Sequence, residues 1–365
     1  MTRRACAAAA AAVIGIAAVA GHAPAASAHV AVLVKTTHTV ADIDANAGGL
    51  VWRSWTGLRR RPGCETVIRR RAWATGTTST LVRCRRGAED LGDEMAAAGP
   101  AVVWTRRELV GQGCCDVQFD ARLRTSTSGA LDDHAFRQLG CGGSEIGSLA
   151  ARGSIAAYTR SVWTSTFCPG NPDTGRDSMT GGHVRLVDVR SDAVTTVPAS
   201  PPAALIALST GRLAIVPYDL GAGIINFPPP PVPQVQVWSL ASLGLERTIA
   251  ETGTITALAI RDGRIAVLVQ DGAGAFRIDR FAAATGAPTG STAVPGSVAP
   301  QLAIWHRLVV FGTGHTVRAL SVATGTIRVV ATIRRRPYDV LAVRGRAIWL
   351  SSGRHLSRIS SAPLR

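Results

Sequence analysis

Two consecutive stretches of this chain, Thr256–Val294 and Pro300–Ile333, follow one plan: four short apolar runs separated by tight turns. In the first, Ala257 to Ile260 and Ile265 to Val269 flank Asp262-Gly263, the strongest two-residue hairpin signal, because both positions tolerate φ > 0. A glycine-rich turn from Gln270 to Gly274 and a Thr285-Gly286 turn separate the remaining runs. Phe276, Ile278 and Arg280 alternate with their neighbours at a period near two, and neither copy sustains a helical period. The unit is therefore a four-stranded antiparallel meander. Such a sheet cannot bury both faces alone, so its repetition predicts stacking against further copies.

Seven units align on the turn between their first two strands. These turns fall at Gly48-Gly49, Gly99-Pro100, Arg152-Gly153, Gly211-Arg212, Gly263-Arg264, His306-Arg307 and Gly345-Arg346. Unit length favours blades of a β-propeller over a pair of sandwich domains. The expectation is an all-β single propeller of seven four-stranded blades over residues 29–365, with units starting near 40, 91, 146, 203, 254, 299 and 338. The last unit has room for only three strands, and the strand-like segment His29 to Val40 belongs to no unit. The two deficits match, which predicts a ring closed by pairing the N-terminal strand with the last blade and so freed of exposed edges.

Residues 1–28 read as a signal peptide. Arg3 and Arg4 precede an apolar run from Cys6 to Ala20, and Ala26-Ser27-Ala28 fits the small-residue cleavage rule. The mature chain is expected outside the cell or on the envelope exterior, with no transmembrane segment and as a monomer. Removing Arg3 and Arg4 leaves 38 basic against 24 acidic residues, a net charge of +14. Of all the basic residues only Lys35 is not arginine, which points first to codon usage and second to anionic partners.

The stretches Val317–Val330 and Phe276–Gly286 resemble the repeats of secreted quinoprotein-like and WD-like β-propellers, which carry a strand, an Asp-x-x-Thr-Gly turn and another strand. Thr285-Gly286 and Thr324-Gly325 match that turn, with a weaker echo from Val187 to Asp192. Ser321 replaces the leading Asp in the sixth unit, and the Trp that follows the turn in quinone-binding repeats is missing. The resemblance therefore implies the scaffold and no cofactor.

In a meander, the turns between second and third strands and the links between blades leave from one face. Six cysteines of the mature chain, Cys64, Cys84, Cys114, Cys115, Cys141 and Cys168, map to that face, and their even number in an exported chain suggests three disulfides. Cys64–Cys84 is the favoured pair; Cys114 and Cys115 take Cys141 and Cys168 in either order. Long insertions at Thr164–Gly182 and Asp219–Pro233 lie there too, the second stiffened by Pro228 to Pro231. So do three basic clusters: Arg59, Arg60 and Arg61; Arg83 with Arg85 and Arg86; and Arg334, Arg335 and Arg336. Arginine forks pair bidentately with carboxylate and phosphate, so an anionic ligand is the physical reading.

No nucleophile-and-base motif and no metal-ligand spacing is present. The expected function is an exported, non-enzymatic binding or scaffold propeller that presents its arginine-rich, disulfide-stapled face to an anionic glycan or a protein partner. The alternative is a propeller hydrolase or lyase acting on a polysaccharide, which would need carboxylates converging at the channel mouth.

Overall fold

The computed structural model describes residues 30–36, 39–46, 48–55, 66–82, 94–113, 116–126, 133–138, 142–165, 177–222, 228–296, 298–299, 301–333, 340–344, 347–352 and 354–360. All secondary structure there is β, apart from a 3-10 turn at Leu220–Ala222. Five sheets have four strands. β2 (Thr39–Ala45), β3 (Gly49–Trp55), β4 (Thr66–Ala72) and β5 (Thr78–Val82) form the first in chain order. β14 (Ala203–Ser209), β15 (Arg212–Pro217), β16 (Gln234–Ser239) and β17 (Leu245–Ala250) form the next. β18 (Thr254–Arg261), β19 (Arg264–Gln270), β20 (Phe276–Ala282) and β21 (Pro288–Val294) follow, then β22 (Leu302–Trp305), β23 (Leu308–Thr313), β24 (Thr316–Ser321) and β25 (Ile327–Thr332). The fifth joins β26 (Val340–Arg344), β27 (Ala347–Ser352) and β28 (His355–Ser360) to β1 (Val30–Lys35), which pairs antiparallel with β28 from Val30↔Ile359 to Lys35↔His355.

The remaining sheet has eight strands: β6 (Met95–Ala98), β7 (Ala101–Gly113), β8 (Asp116–Thr125), β9 (Asp133–Gln138), β10 (Gly142–Arg152), β11 (Ile155–Ser165), β12 (Asp177–Asp188) and β13 (Ala193–Thr196). The expectation of seven separate four-stranded blades is thus not met; the structure has five such sheets. The cause is local. β9 and β10 pair through Gln138↔Gly142 and Arg137↔Gly143, which fuses two meanders. At the same point Gly142 has φ +80°, and a Cβ there would lie 2.5 Å from the Trp163 carbonyl oxygen, so only glycine lets β10 run this close to β11.

Turn chemistry explains the hairpins. Asp262 (φ 48°) and Gly263 (φ 76°) sit between the paired Arg261 and Arg264, the two left-handed positions of a type I′ turn. The third-to-fourth-strand turns repeat one hydrogen-bond pattern. Gly286 N–H donates to Ala282 O and Ala282 N–H to Ala287 O; Gly325 and Ser321 do the same, and so do Gly76 and Ala72. Ala74-Thr75-Gly76 is thus a third copy of the Ala-Thr-Gly turn.

The core is divided among layers between successive sheets. One layer packs Ala257, Ala259, Leu268 and Ile278 against Ile304, Val309, Phe311 and Leu320. Fully burying such side chains stabilises by about 1.5–3 kcal/mol each. Inner strands carry apolar side chains on both faces for this reason; Leu213 to Val216 and Val267 to Val269 are all buried. Small closed-packed sheets of this kind, arranged about an axis, make the chain a β-propeller. Among the described residues no helix is long and apolar enough to cross a membrane.

The expected insertion Thr164–Gly182 is partly strand: β11 and β12 pair out to Ser165↔Asp177. The proline-rich stretch is tied down, since Asp219 N–H donates to Pro230 O at 2.8 Å, Val232 N–H to Pro217 O at 2.8 Å, and Tyr218 bridges Pro231.

Candidate functional site

The described polar groups concentrate on the inner strands, where bulges release backbone groups that the ladders would otherwise use. The register slips between Val40 and Asp42, Gly147 and Leu149, Ala203 and Leu205, and Ile255 and Ala257. Ser148, the bulged residue of β10, sits at φ 48°.

Carboxylates on these strands accept backbone amides both at the β10 bulge and along β6, whose ladder with β7 is regular. Asp42 accepts N–H from Ile43 (2.8 Å) and, across to β6, from Met95 (3.2 Å). Asp44 accepts from Ala45 and Ala97, both at 2.7 Å. Glu94 accepts the N–H of Ser148 at 2.9 Å and that of Leu149. Ser148 Oγ then donates to Ala204 O on the bulge of β14 at 2.8 Å. These contacts form one chain of clasps along the inner wall, from β2 through β6 and β10 to β14.

The wall is electrostatically loaded. Burial pushes the Asp42 carboxyl up to about 7; Arg53, its partner across the β2–β3 ladder, opposes the shift, while Asp44 and Glu94 add to it. Tyr218 is raised to about 12 by burial and then by Glu94 and Glu145, with a side-chain hydrogen bond from Ser148 acting against them. It therefore stays a neutral phenol across the physiological range. Asp42, Asp44 and Glu94 all hold backbone amides, so the arrangement fixes a wall. No group of three or more His, Cys, Asp and Glu with metal-holding geometry occurs among the described residues.

The arginines divide into two groups. Arg59, Arg60, Arg61, Arg83, Arg85, Arg86, Arg334, Arg335 and Arg336, and the cysteines Cys64, Cys84, Cys114, Cys115, Cys141 and Cys168, lie outside the described residues. Several described arginines act as inter-sheet staples at the end of the sheets that carries the first-to-second and third-to-fourth-strand turns. Arg70 Nη1 donates to Pro100 O (3.1 Å), Arg261 Nη1 to Ile304 O (3.3 Å) and Arg264 Nη1 to His306 O (3.2 Å). Arg280, only 5% exposed, donates to Ser321 O (3.1 Å) and Val322 O (3.2 Å). Each reaches a turn or strand end of the next sheet. Part of the basic surplus is therefore structural, a role that composition alone hides. His306 sits in its turn at φ 52°, edge-on to Trp305, and His315 Nδ1 lies 3.1 Å from Ile333 O; both are turn residues here.

The inner-wall carboxylates were not singled out from the sequence as a group. Glu94 carries no mark of its role in the sequence, because bulge positions leave no composition signature.

Comparison with known proteins fits this geometry. No family model matches the chain, and no curated protein matches it either. Solved structures do. A chain of the mitotic checkpoint complex superposes with TM-score 0.52 at 14% identity, over 99% of this chain and 100% of that one. The computationally designed Ika8 protein superposes with TM-score 0.50 at 14% identity, over 90% of this chain and 99% of that one. At that identity the likeness is one of fold. The chain shares a propeller scaffold with them.

Proposed function

We propose that this protein is an exported, non-enzymatic binding or scaffold propeller whose loop-bearing face meets an anionic ligand or a protein partner. The observation that carries the reading is strand direction. The connections from Trp55 to Thr66, Val82 to Glu94 and Ile333 to Val340 hold the arginine runs, and all three depart from strand ends at the same end of the sheets as Lys35 and Arg354. Lys35 and Arg354 are exposed there. A shared face of arginines suits bidentate capture of carboxylate or sulfate groups on a glycan. The cysteines on the same connections would staple it once the chain is exported and oxidised.

The proposal extends to blade number. Counting the eight-stranded sheet as two fused meanders gives seven units, and the ring closes through β1 on β28. Two observations support this. Val40, Ile43, Leu50 and Trp52 of the first sheet share an apolar cluster with Leu356 of the last, and β2 packs beside β26.

A polysaccharide hydrolase or lyase would need two free carboxyls facing a cleft. The engagement of Asp42, Asp44 and Glu94 by backbone amides favours binding instead. The test is binding of the oxidised chain from His29 onward to anionic and neutral glycans at low and high salt. Salt-sensitive binding lost on changing Arg334, Arg335 and Arg336 to Ser is the expected result. Equal binding to neutral glycans, or none to any, overturns the anionic-glycan reading and turns the search to protein partners.

A further inference from the structure

The link between β17 and β18 is three residues long, Glu251-Thr252-Gly253, and is strapped on both sides. Glu251 N–H donates to Pro233 O at 2.8 Å, on the β15–β16 connection. On the other side, Arg277 near the start of β20 grips it: Nη2 reaches Glu251 Oε2 at 3.2 Å, Thr252 O at 2.7 Å and Thr252 Oγ1 at 3.1 Å. The same guanidinium holds Asp279 Oδ2 through Nε at 2.6 Å. Gly253, at φ +113°, closes the link with a Cβ position 2.5 Å from Gln270 O.

One arginine thus holds one oxygen from each of two carboxyl groups. The other two oxygens, Glu251 Oε1 and Asp279 Oδ1, are buried and have no hydrogen-bond partner. The Glu251 side chain is 5% exposed and that of Asp279 10%. Two ionised carboxylates against one guanidinium leave a net negative charge in a buried site that also holds two bare oxygens. A single proton between them removes the charge and supplies the missing hydrogen bond.

We infer that Glu251 and Asp279 share one proton across Oε1 and Oδ1, and that this proton latches the β17–β18 link onto β20. The charged groups acting on the pair are Arg277, which grips both, and Arg280 further along β20, which feels Asp279. Gln270 of β19, behind Gly253, is uncharged. Burial, followed by the Asp279 charge, raises Glu251 to about 7, with Arg277 opposing, which agrees with the geometry. The latch is then closed in mildly acidic solution and opens as pH rises through neutrality, when the second carboxyl ionises. The pH of the surroundings would thereby set how firmly the sheets on either side of this link are tied.

The test compares unfolding of the full chain with that of Glu251→Gln and Asp279→Asn between pH 5 and 8.5. A raised acid makes the folded state hold the extra proton, so stability is greatest below the ordinary carboxylate range and is lost as pH climbs to the folded value. The parent should show up to one more proton in its slope than Glu251→Gln, a change in unfolding constant approaching tenfold per pH unit between about 5 and 7. Identical slopes overturn the inference. Should the variants fail to fold, the side-chain carboxyl carbon shift of Glu251 in the parent decides it: titration near neutrality supports the latch, and full ionisation at pH 6 refutes it.

Discussion

Replacing Glu94, just ahead of β6, tests the idea that the β10 bulge is held by a carboxylate from the far end of its own eight-stranded sheet. Glu94 receives two backbone N–H groups, from Ser148 and Leu149, at a bulge where the ladder offers them nothing. Hydrogen bonds to a charged acceptor contribute about 1.5–3 kcal/mol each, and a buried donor left bare costs about 1–3 kcal/mol. Both amides are only partly buried, so water recovers a share of the loss. Glu94→Ala should therefore destabilise by about 2–4 kcal/mol. Glu94→Gln keeps one acceptor oxygen and should lose roughly half of that. Chemical denaturation gives the stability difference, and amide exchange locates it: the Ser148 and Leu149 protons should exchange faster while those in β23 and β24 stay protected. An alanine variant within about 0.5 kcal/mol of the parent, or unchanged exchange at those two amides, refutes the clasp.

Other outcomes follow from the same structure. Asn46 is fully buried, accepts from Gly48 and Gly49 and donates to Ala101 O in the next sheet; Asn46→Ala should cost about 2–4 kcal/mol by denaturant titration. Arg280→Lys keeps the charge but loses the fork to Ser321 O, Val322 O and Thr292 Oγ1, and should lower the melting temperature clearly, whereas Arg212→Lys at the exposed Glu246 pair should change little. Gly253→Ala forces a left-handed residue and a Cβ contact at 2.5 Å with Gln270 O, so it should destabilise by about 2 kcal/mol or more. Asp42, raised to about 7, holds a proton in the folded state that the unfolded chain releases above the ordinary carboxylate range. Its share of stability is complete at acid pH and is lost as pH rises to about 7. Asp42→Asn should remove up to about 1.4 kcal/mol per pH unit from that slope.

The alternating runs and Asp262-Gly263 made the repeat, its hairpins and the propeller class legible without coordinates, because strand period and turn chemistry are local. The hairpin positions from Gly48 to His306 each fall between paired strands for that reason. The same logic extends to the Ala-Thr-Gly turn at Ala74, where Gly76 N–H donates to Ala72 O.

Three things depended on tertiary placement. β9 and β10 pair across Gln138↔Gly142 and Arg137↔Gly143, which turned two expected blades into one sheet. The bulge at Ser148 gives Glu94 its two amides, and Ala204 O on the β14 bulge takes Ser148 Oγ; a bulge shifts register without marking composition. Arginines that looked like an anion-binding surplus proved partly to be staples, since only the neighbouring sheet reveals which carbonyls Arg70, Arg264 and Arg280 can reach. Sequence by itself set the strands and their turns through short-range physics. The spacing between sheets, fixed by packing of residues far apart in the chain, set which polar groups meet.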